Sequence, residues 1–200
     1  MTFFPLVHPP HHRFDPKYPE ICFIEDAHHE IATIKGQLIN WEDIGVNIDI
    51  PPGAVCEKAT TEVFVRPCLT GPFEVPHGID LASPLHLVGP ALKFTREIKL
   101  SLRHFVNLET PEDCKEMTFL SAPSTPSYIG SEPTYQLKEI KIQKGIFTVG
   151  NQVATLFLKH FCFMGIGRKR IQQASKGDSD TEISVGPPKR VKGEILIASY

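Results

Sequence analysis

The stretch Gly45-Val46-Asn47-Ile48-Asp49-Ile50-Pro51-Pro52-Gly53-Ala54-Val55 decides the fold class of this chain. Its apolar residues alternate with Asn47 and Asp49, so one set of side chains faces a core and the other faces water, as in a half-buried β-strand. The two prolines cannot continue a hydrogen-bonded ladder, and the glycine after them permits a tight reversal. An amphipathic strand that ends in a sharp corner is therefore expected here.

The same alternation recurs along the chain. Ile98, Leu100 and Leu102 alternate with polar residues. Further strands are predicted at Glu62–Arg66, Pro84–Val88, Met117–Ser121, Tyr135–Ile142, Ile146–Val149 and Val153–Lys159. Within Tyr135–Ile142 the apolar positions change parity between Leu137 and Ile140, which predicts a bulge. Many short strands without an amphipathic helix between them predict an all-β fold, an antiparallel β-sandwich or barrel-like module with disordered tails.

Composition changes along the chain and predicts its division. Residues 1–30 are rich in proline and histidine and are expected to form an extended lead-in, with one short strand at Ile21–Ile24. The β domain is expected to cover residues 31–167. Residues 168–191 form a polar flexible linker, and residues 192–200 end on an apolar run that could be the first strand of a missing following module.

Bulk charge and hydropathy argue against several classes of partner. The formal net charge is −2, which gives no overall attraction to nucleic acid. No apolar run approaches the roughly 20 residues that cross a bilayer, so membrane contact is expected only through a segment absent from this chain. Five scattered cysteines without CxxC spacing indicate a reducing, cytoplasmic location, which includes the cytoplasmic part of a membrane receptor.

The proline corner also belongs to a longer ordered pattern. Its further parts are Gly36, Leu81-Ala82-Ser83-Pro84-Leu85 before Gly89-Pro90, Phe94, the strand Ile98–Leu102 with His104 after it, and Leu156-Phe157-Leu158-Lys159-His160-Phe161. In this order the segments resemble the ZU-five domain found in zona occludens scaffolds, netrin receptors and ankyrins. Together they span about 130 of the 200 residues.

The resemblance implies a module that makes protein contacts. It assigns a structural role to the residues of the corner motif, which are Gly45, Val46, Ile50, Pro51, Pro52, Gly53 and Ala54. It implies intracellular protein-protein interaction and scaffolding in a signalling protein, with a protein partner or a neighbouring intramolecular domain. It also implies that a UPA module and a death domain could follow, as in netrin-receptor-like proteins.

The alternative function is self-processing at His160-Phe161-Cys162. Some proteins with this module cut themselves at a His-Phe-Ser step, and a cysteine thiolate can replace the serine as nucleophile. His160 and Cys162 would share one face of an extended segment, and cleavage would separate Phe161 from Cys162.

The competing interpretation is that Cys162 is a small buried residue, because it shares parity with the apolar Leu156 and Leu158. A second His-Phe step, His104-Phe105, is followed by Val106, which offers no nucleophile. The chain is therefore expected not to be an enzyme, with neither a catalytic residue nor a small-molecule substrate.

No cofactor or structural metal site is expected. The histidines that could suggest zinc are His8, His11, His12, His28 and His29, in a proline-rich segment without a second cysteine nearby. The basic runs Arg168-Lys169-Arg170 and Pro187-Pro188-Lys189-Arg190 could form a two-part nuclear signal, but a solvated linker is the favoured interpretation.

Overall fold

The computed structural model describes residues 13–24, 27–56, 60–140 and 146–170. Their strands are β1 (Arg13–Asp15), β2 (Tyr18–Phe23), β3 (His28–Ala32), β4 (Gln37–Trp41), β5 (Val46–Ile50), β6 (Thr61–Thr70), β7 (Phe73–Glu74), β8 (Ile79–Leu81), β9 (Leu85–Gly89), β10 (Lys93–Arg103), β11 (Met117–Ala122), β12 (Ser127–Ile129), β13 (Glu132–Gln136), β14 (Lys138–Glu139), β15 (Val153–His160) and β16 (Phe163–Lys169). One short helix, α1 (Pro111–Glu116), joins β10 to β11. The expected all-β, antiparallel fold is confirmed.

The described strands form three sheets. The largest has the order β1-β2-β6-β9-β16-β11-β14, with β3 paired to β6 and β8 paired to β16. The second has four strands in the order β15-β10-β5-β4, and the third has the order β12-β13-β7. All pairs are antiparallel except β13 with β7. The sheets curl into an antiparallel half-barrel.

The main core lies between the large sheet and the four-stranded sheet. Val63, Val65 and Ile166 enter it from the large sheet, and Ile48 and Leu100 enter it from the four-stranded sheet. Each such side chain contributes about 1.5–3 kcal/mol when it is fully buried. This core holds the four-stranded sheet by its inner face and leaves the other face outward.

A second core lies on the opposite face of the large sheet. Phe163 is fully buried there between Tyr18 and Tyr135, at ring-centroid distances of 5.9 Å and 4.9 Å. Because both faces of the large sheet are covered, β16 has five consecutive buried residues instead of an alternating pattern.

The amino-terminal strands begin before the expected start of the β domain. Tyr18, Ile21 and Phe23 of β2 are buried, and β2 and β3 both pair with β6. The expectation of an extended lead-in is therefore wrong for the described part of residues 13–30. These residues complete one edge of the large sheet and cover its second core.

The expected bulge in Tyr135–Ile142 is instead a change of partner strand. The amide of Leu137 donates to the carbonyl of Glu74 in β7, whereas the amide of Ile140 donates to the carbonyl of Phe119 in β11. The parity change therefore marks the point where the chain leaves one sheet for another. Residues 141 and 142 lie outside the described part of the chain.

Two further expectations need correction. Of the predicted strand Ile146–Val149, only Ile146 pairs, through an isolated bridge to Thr155. The expected linker at residue 168 begins too early, because Arg168 and Lys169 belong to β16. Residues 171–191 of that linker and the predicted strand at 192–200 lie outside the described residues.

Candidate interaction surface

The proline corner joins three segments of backbone. The amide of Gly53 donates to the carbonyl of Ile34 at 2.8 Å, and the amide of Thr95 donates to the carbonyl of Ala54 at 3.1 Å. A guanidinium nitrogen of Arg96 donates to the carbonyl of Pro52 at 2.8 Å. The corner thus ties the turn after β3 and the first residues of β10 to the end of β5.

Two glycines of the pattern permit close backbone approaches. Gly36 has φ +78°, and a Cβ placed there would lie 2.6 Å from the carbonyl oxygen of Ile50. Gly45 has φ +66°, and a Cβ placed there would lie 2.7 Å from the Cβ of Arg103. Because Gly45 has no side chain, Arg103 can lie against it at one end of the outward face of the four-stranded sheet.

The outward face of that sheet contains two transverse rows of side chains. Leu38, Asp49, Lys99 and Phe157 are successive register partners across its four strands. The second row is polar and uncharged, with Asn40, Asn47, Ser101 and Thr155 as successive partners. We call this surface, with Arg103 and Lys159 at its margins, the outer face.

The centre of the outer face is a shallow polar depression. Its volume is about 230 Å³, and its lining residues are Leu38, Asn40, Asn47, Asp49, Lys99 and Ser101. The hydroxyls of Ser101 and Thr155 form a hydrogen bond at 2.9 Å. The Oδ1 atom of Asn47 is buried and accepts no hydrogen bond from any described atom.

The outer face carries exposed cations that lack partners. Lys99, Arg103 and Lys159 are exposed, and none of their side chains forms an ion pair with a described residue. Asp49 is opposite Lys99 in the register but does not form an ion pair with it. Since unpaired cations attract carboxylates and phosphates, this face is suited to an anionic partner.

Five cations elsewhere in the described chain are neutralised by ion pairs, whereas Lys17, Lys35 and Lys138 are not. The pairs are Arg66 with Asp15, Lys115 with Glu112, Arg168 with Asp113 and Glu116, Lys169 with Glu139, and Arg170 with Asp80. They include the whole Arg168-Lys169-Arg170 run, which the sequence analysis places in a solvated linker. These ion pairs instead fix the run to three separate elements of the domain.

Apolar side chains flank the cations of the outer face. Leu38 is 72% exposed on the edge strand β4, and Phe157 is 36% exposed on β15. In the described part of the chain β4 has no ladder partner beyond β5. Apolar contacts beside unpaired charges and a free strand edge are features of protein-binding surfaces.

The two residues proposed for self-processing differ in exposure. β15 ends at His160, which is exposed, whereas Phe161 and Cys162 lie between β15 and β16 and are buried. That His160 and Cys162 share one face stays a prediction. His160 pairs in register with Lys93 at the sheet margin.

The thiol of Cys162 is held in an apolar environment. Its Sγ atom lies 3.4 Å from the carbonyl of Phe163 and 3.3 Å from the sulfur of Met164. Burial raises the pKa of this thiol to about 12. At neutral pH it is protonated and is a poor nucleophile.

The second His-Phe step also has an asymmetric arrangement. His104 is buried and lies 6.2 Å from Phe147 between ring centroids, while Phe105 is 56% exposed. Burial lowers the pKa of His104 and favours its neutral form.

The histidines considered for zinc have carboxylate partners where they are described. His28 Nε2 lies 2.7 Å from Asp43 Oδ2, and His29 Nδ1 lies 2.9 Å from Glu62 Oε1. Among the described residues no group of three or more potential ligands could hold a metal ion. His8, His11 and His12 lie outside those residues.

The cysteines and the helix give two further observations. All five cysteines are free thiols, and Cys68 and Cys162 are buried. Within the described ranges, no helix has the length and apolar character that a membrane span requires.

The outer face is missing from the sequence-based assignment of site residues. The alternation in Ile98–Leu102 places Lys99 and Ser101 outward, so this signal was present in the sequence. Placement of β10 between β5 and β15 could not be obtained from that local pattern, because the three strands are far apart in the chain.

Comparison with protein families matches residues 28–117 to the model described as the ZU5 domain. That range contains the proline corner and both glycine contacts. It also contains three of the four strands of the outer face, β4, β5 and β10.

Comparison with curated proteins identifies tight junction proteins. The chain is 29% identical over 148 residues to tight junction protein 1 of Canis lupus familiaris, and 28% identical over 148 residues to tight junction protein ZO-1 of Rattus norvegicus. Each alignment covers 68% of this chain and 8% of the relative. Tight junction protein 1 of Mus musculus is 33% identical over 91 residues, which cover 40% of this chain and 5% of the relative. The chain thus corresponds to a small part of these relatives.

Proposed function

This chain contains a ZU5 domain, and on that premise we propose that it is a protein-interaction module of an intracellular scaffolding protein. The observation that carries the proposal is the outer face, where unpaired cations and exposed apolar side chains occur on one sheet surface. The partner is a protein or a neighbouring intramolecular domain.

The relatives support a scaffold setting. Their names assign them to tight junctions, and we propose a similar cytoplasmic scaffold for the protein that carries this domain. The netrin-receptor-like setting, with a UPA module and a death domain, stays a prediction from the sequence resemblance.

The domain extends beyond the family match in this proposal. β16 pairs with β11 and with β9, so residues up to 169 complete the same sheet as residues within 28–117. The amino-terminal strand β2 joins that sheet as well. We propose that the folding unit runs from the first described strand to the last.

A non-enzymatic role is part of the proposal. The buried Cys162 thiol and the exposed His160 are poorly placed for nucleophilic attack. The outer-face depression is shallow and contains no nucleophile-base pair. Such a face can bind a partner protein without catalysing a reaction.

Paired substitutions on the outer face test the proposal. The full chain carrying Leu38→Ser and Lys99→Glu is compared with the wild type in affinity capture from an epithelial lysate. We expect proteins retained by the wild type to fall at least tenfold with the variant, because it loses an apolar contact and reverses a charge. Retention that is equal for the two chains would contradict the use of this face.

A matched control uses another surface of the same molecule. Tyr128→Ser with Lys138→Glu changes one exposed apolar residue and one exposed cation outside the four-stranded sheet. Capture should be unaffected by this variant. Equal melting temperatures for all three chains would exclude unfolding as the cause of any loss.

A further inference from the structure

The remaining observation is an acidic segment in the same chain as the cationic outer face. Asp178-Ser179-Asp180-Thr181-Glu182 places a carboxylate at every second position. We propose that residues 178–182 bind the outer face of their own domain and compete with its protein partner. The proposal rests on the proposed function for the location of the binding surface.

Charge distribution selects the outer face among the surfaces of the domain. Four cations of the four-stranded sheet, Lys93, Lys99, Arg103 and Lys159, have no ion-pair partner in the described chain. Outside this sheet the described acidic residues outnumber the basic ones. An acidic segment is therefore attracted to this sheet and repelled by most of the remaining surface.

The spacing of charges agrees between the two partners. Lys99 and Arg103 are four residues apart and both exposed on β10, which separates their Cα atoms by about 13 Å. Asp178 and Glu182 are also four residues apart, and an extended conformation would project both from one side of the segment. Asp180 would then lie between them, opposite the polar row that contains Ser101 and Thr155.

The chain is long enough to make the contact. The last described residue, Arg170, is bound through its amide to the carbonyl of Gly78. Backbone hydrogen bonds connect Phe105 to Ala82 and Ala82 to Ile166, so β16 ends at the same end of the molecule as Arg103. Seven residues lie between Arg170 and Asp178, and the eight Cα–Cα steps reach up to about 27 Å.

The polar depression favours a peptide over a phosphate-bearing surface. The exposed carboxylate of Asp49 lines the depression beside Lys99. Backbone amides of a peptide can donate to this carboxylate, while phosphate groups offer only acceptors. An anionic lipid surface would satisfy the cations and leave this carboxylate unpaired.

The contact is expected to be weak and sensitive to salt. A short tether gives the segment an effective concentration on the order of millimolar, so a weak intrinsic affinity still populates the bound state. Exposed charge pairs are screened over a Debye length of about 8 Å at physiological ionic strength. Partial occupancy of this kind permits a partner to displace the segment.

Zero-length carbodiimide crosslinking of the full chain at low micromolar concentration tests the proposal. We expect the monomer band to contain links from Asp178, Asp180 or Glu182 to Lys99 or Lys159. Their yield should fall at least fivefold in 0.5 M sodium chloride and in the triple variant Asp178→Asn, Asp180→Asn, Glu182→Gln. Lys17 and Lys138 are internal controls, since both are exposed outside the four-stranded sheet.

Three outcomes would overturn the inference. They are equal linkage to Lys17 and Lys138, linkage only in a dimer band, and loss of Lys99 reactivity only when anionic phosphatidylserine vesicles are added. None of them alters the lysate capture by the outer-face variants, so the inference can fail while the proposed function survives. Conversely, tail linkage with unchanged capture by those variants would contradict the proposed function and the competition with a partner, and would leave only the contact of residues 178–182 with the outer face.

Discussion

Arg103 lies directly over Gly45, with its amide donating to the Gly45 carbonyl at 2.9 Å and its Cβ filling the space that a side chain on Gly45 would need. The glycine of the corner motif thus does two things at once. It adopts φ +66°, and it leaves room for a cation of the outer face. The motif that identifies the fold therefore also positions part of the interaction surface.

Replacement of this glycine should destabilise the domain by two mechanisms. Gly45→Ala places a Cβ in the left-handed region, which costs about 1–2 kcal/mol, and forces Arg103 away from its position. We expect a total loss of about 2–4 kcal/mol in the free energy of unfolding, measured by urea denaturation.

A second glycine provides the control for backbone strain alone. Gly78 has φ +77°, and nothing lies within 4 Å of the position of its Cβ. Gly78→Ala should therefore cost about 1–2 kcal/mol, from the backbone term only. Equal losses at the two positions would show that the Arg103 contact contributes nothing.

Stability should also fall with acid because of His86. This side chain is 1% exposed, and neither ring nitrogen has a hydrogen-bond partner among the described atoms. Burial lowers its pKa to about 4, with smaller opposing effects from the backbone of Ile44 and Pro84. In the unfolded chain the histidine binds a proton more readily, so its contribution is complete above about pH 6.5 and is lost as the pH falls toward 4.

The predicted loss across that pH window is roughly 3 kcal/mol. Urea unfolding at intervals between pH 4 and pH 7.5 measures it, with His86→Leu as the comparison. The variant should retain a weaker dependence, to which the lowered pKa values of His104, Asp80 and Asp113 contribute. If the variant does not fold, an NMR titration of His86 in the wild type decides the matter, and a pKa above 6 would refute the explanation.

The strands that the sequence predicts best are those with one buried face. Ile48 and Leu100 alternate with exposed polar residues because only one side of the four-stranded sheet meets the core. β16 was not predicted, since the large sheet is covered on both faces and its residues Phe163–Gly167 are all buried. A pattern based on alternation carries no signal in such a strand.

The sequence predicts which side chains of the candidate site point outward, but it does not predict which of them are neighbours. The alternation around Leu100 predicts that Lys99 and Arg103 point into water. It does not predict that Phe157 lies beside Lys99, because pairing between distant strands depends on the whole topology. The pairing of Arg168 with Asp113 was inaccessible for the same reason.

The second core should depend on one buried hydroxyl. Tyr135 is 1% exposed, and its hydroxyl donates to a carboxylate oxygen of Glu20 at 2.5 Å. Tyr135→Phe keeps the ring packing and removes this bond, so we expect a loss of about 1–2 kcal/mol in the free energy of unfolding. Tyr128→Phe is the control, because Tyr128 is 68% exposed. Loss of its hydroxyl should change the free energy of unfolding by less than about 0.5 kcal/mol. A loss that is the same for both variants would show that the bond to Glu20 is not responsible.

The chain should remain intact at the Phe161-Cys162 bond. Attack by sulfur requires a thiolate and a base within hydrogen-bond reach, but burial keeps the Cys162 thiol protonated and His160 is exposed at the sheet margin. Intact-mass measurement of the wild type and of Cys162→Ala, after days at pH 7.5, should give full-length chains in both cases. Fragments that end at Phe161 in the wild type and are missing in the variant would establish self-processing and would show that the protein reaches a conformation in which the thiol is exposed. Full-length mass in both would leave binding as the role of this module, with the outer face as the surface to test.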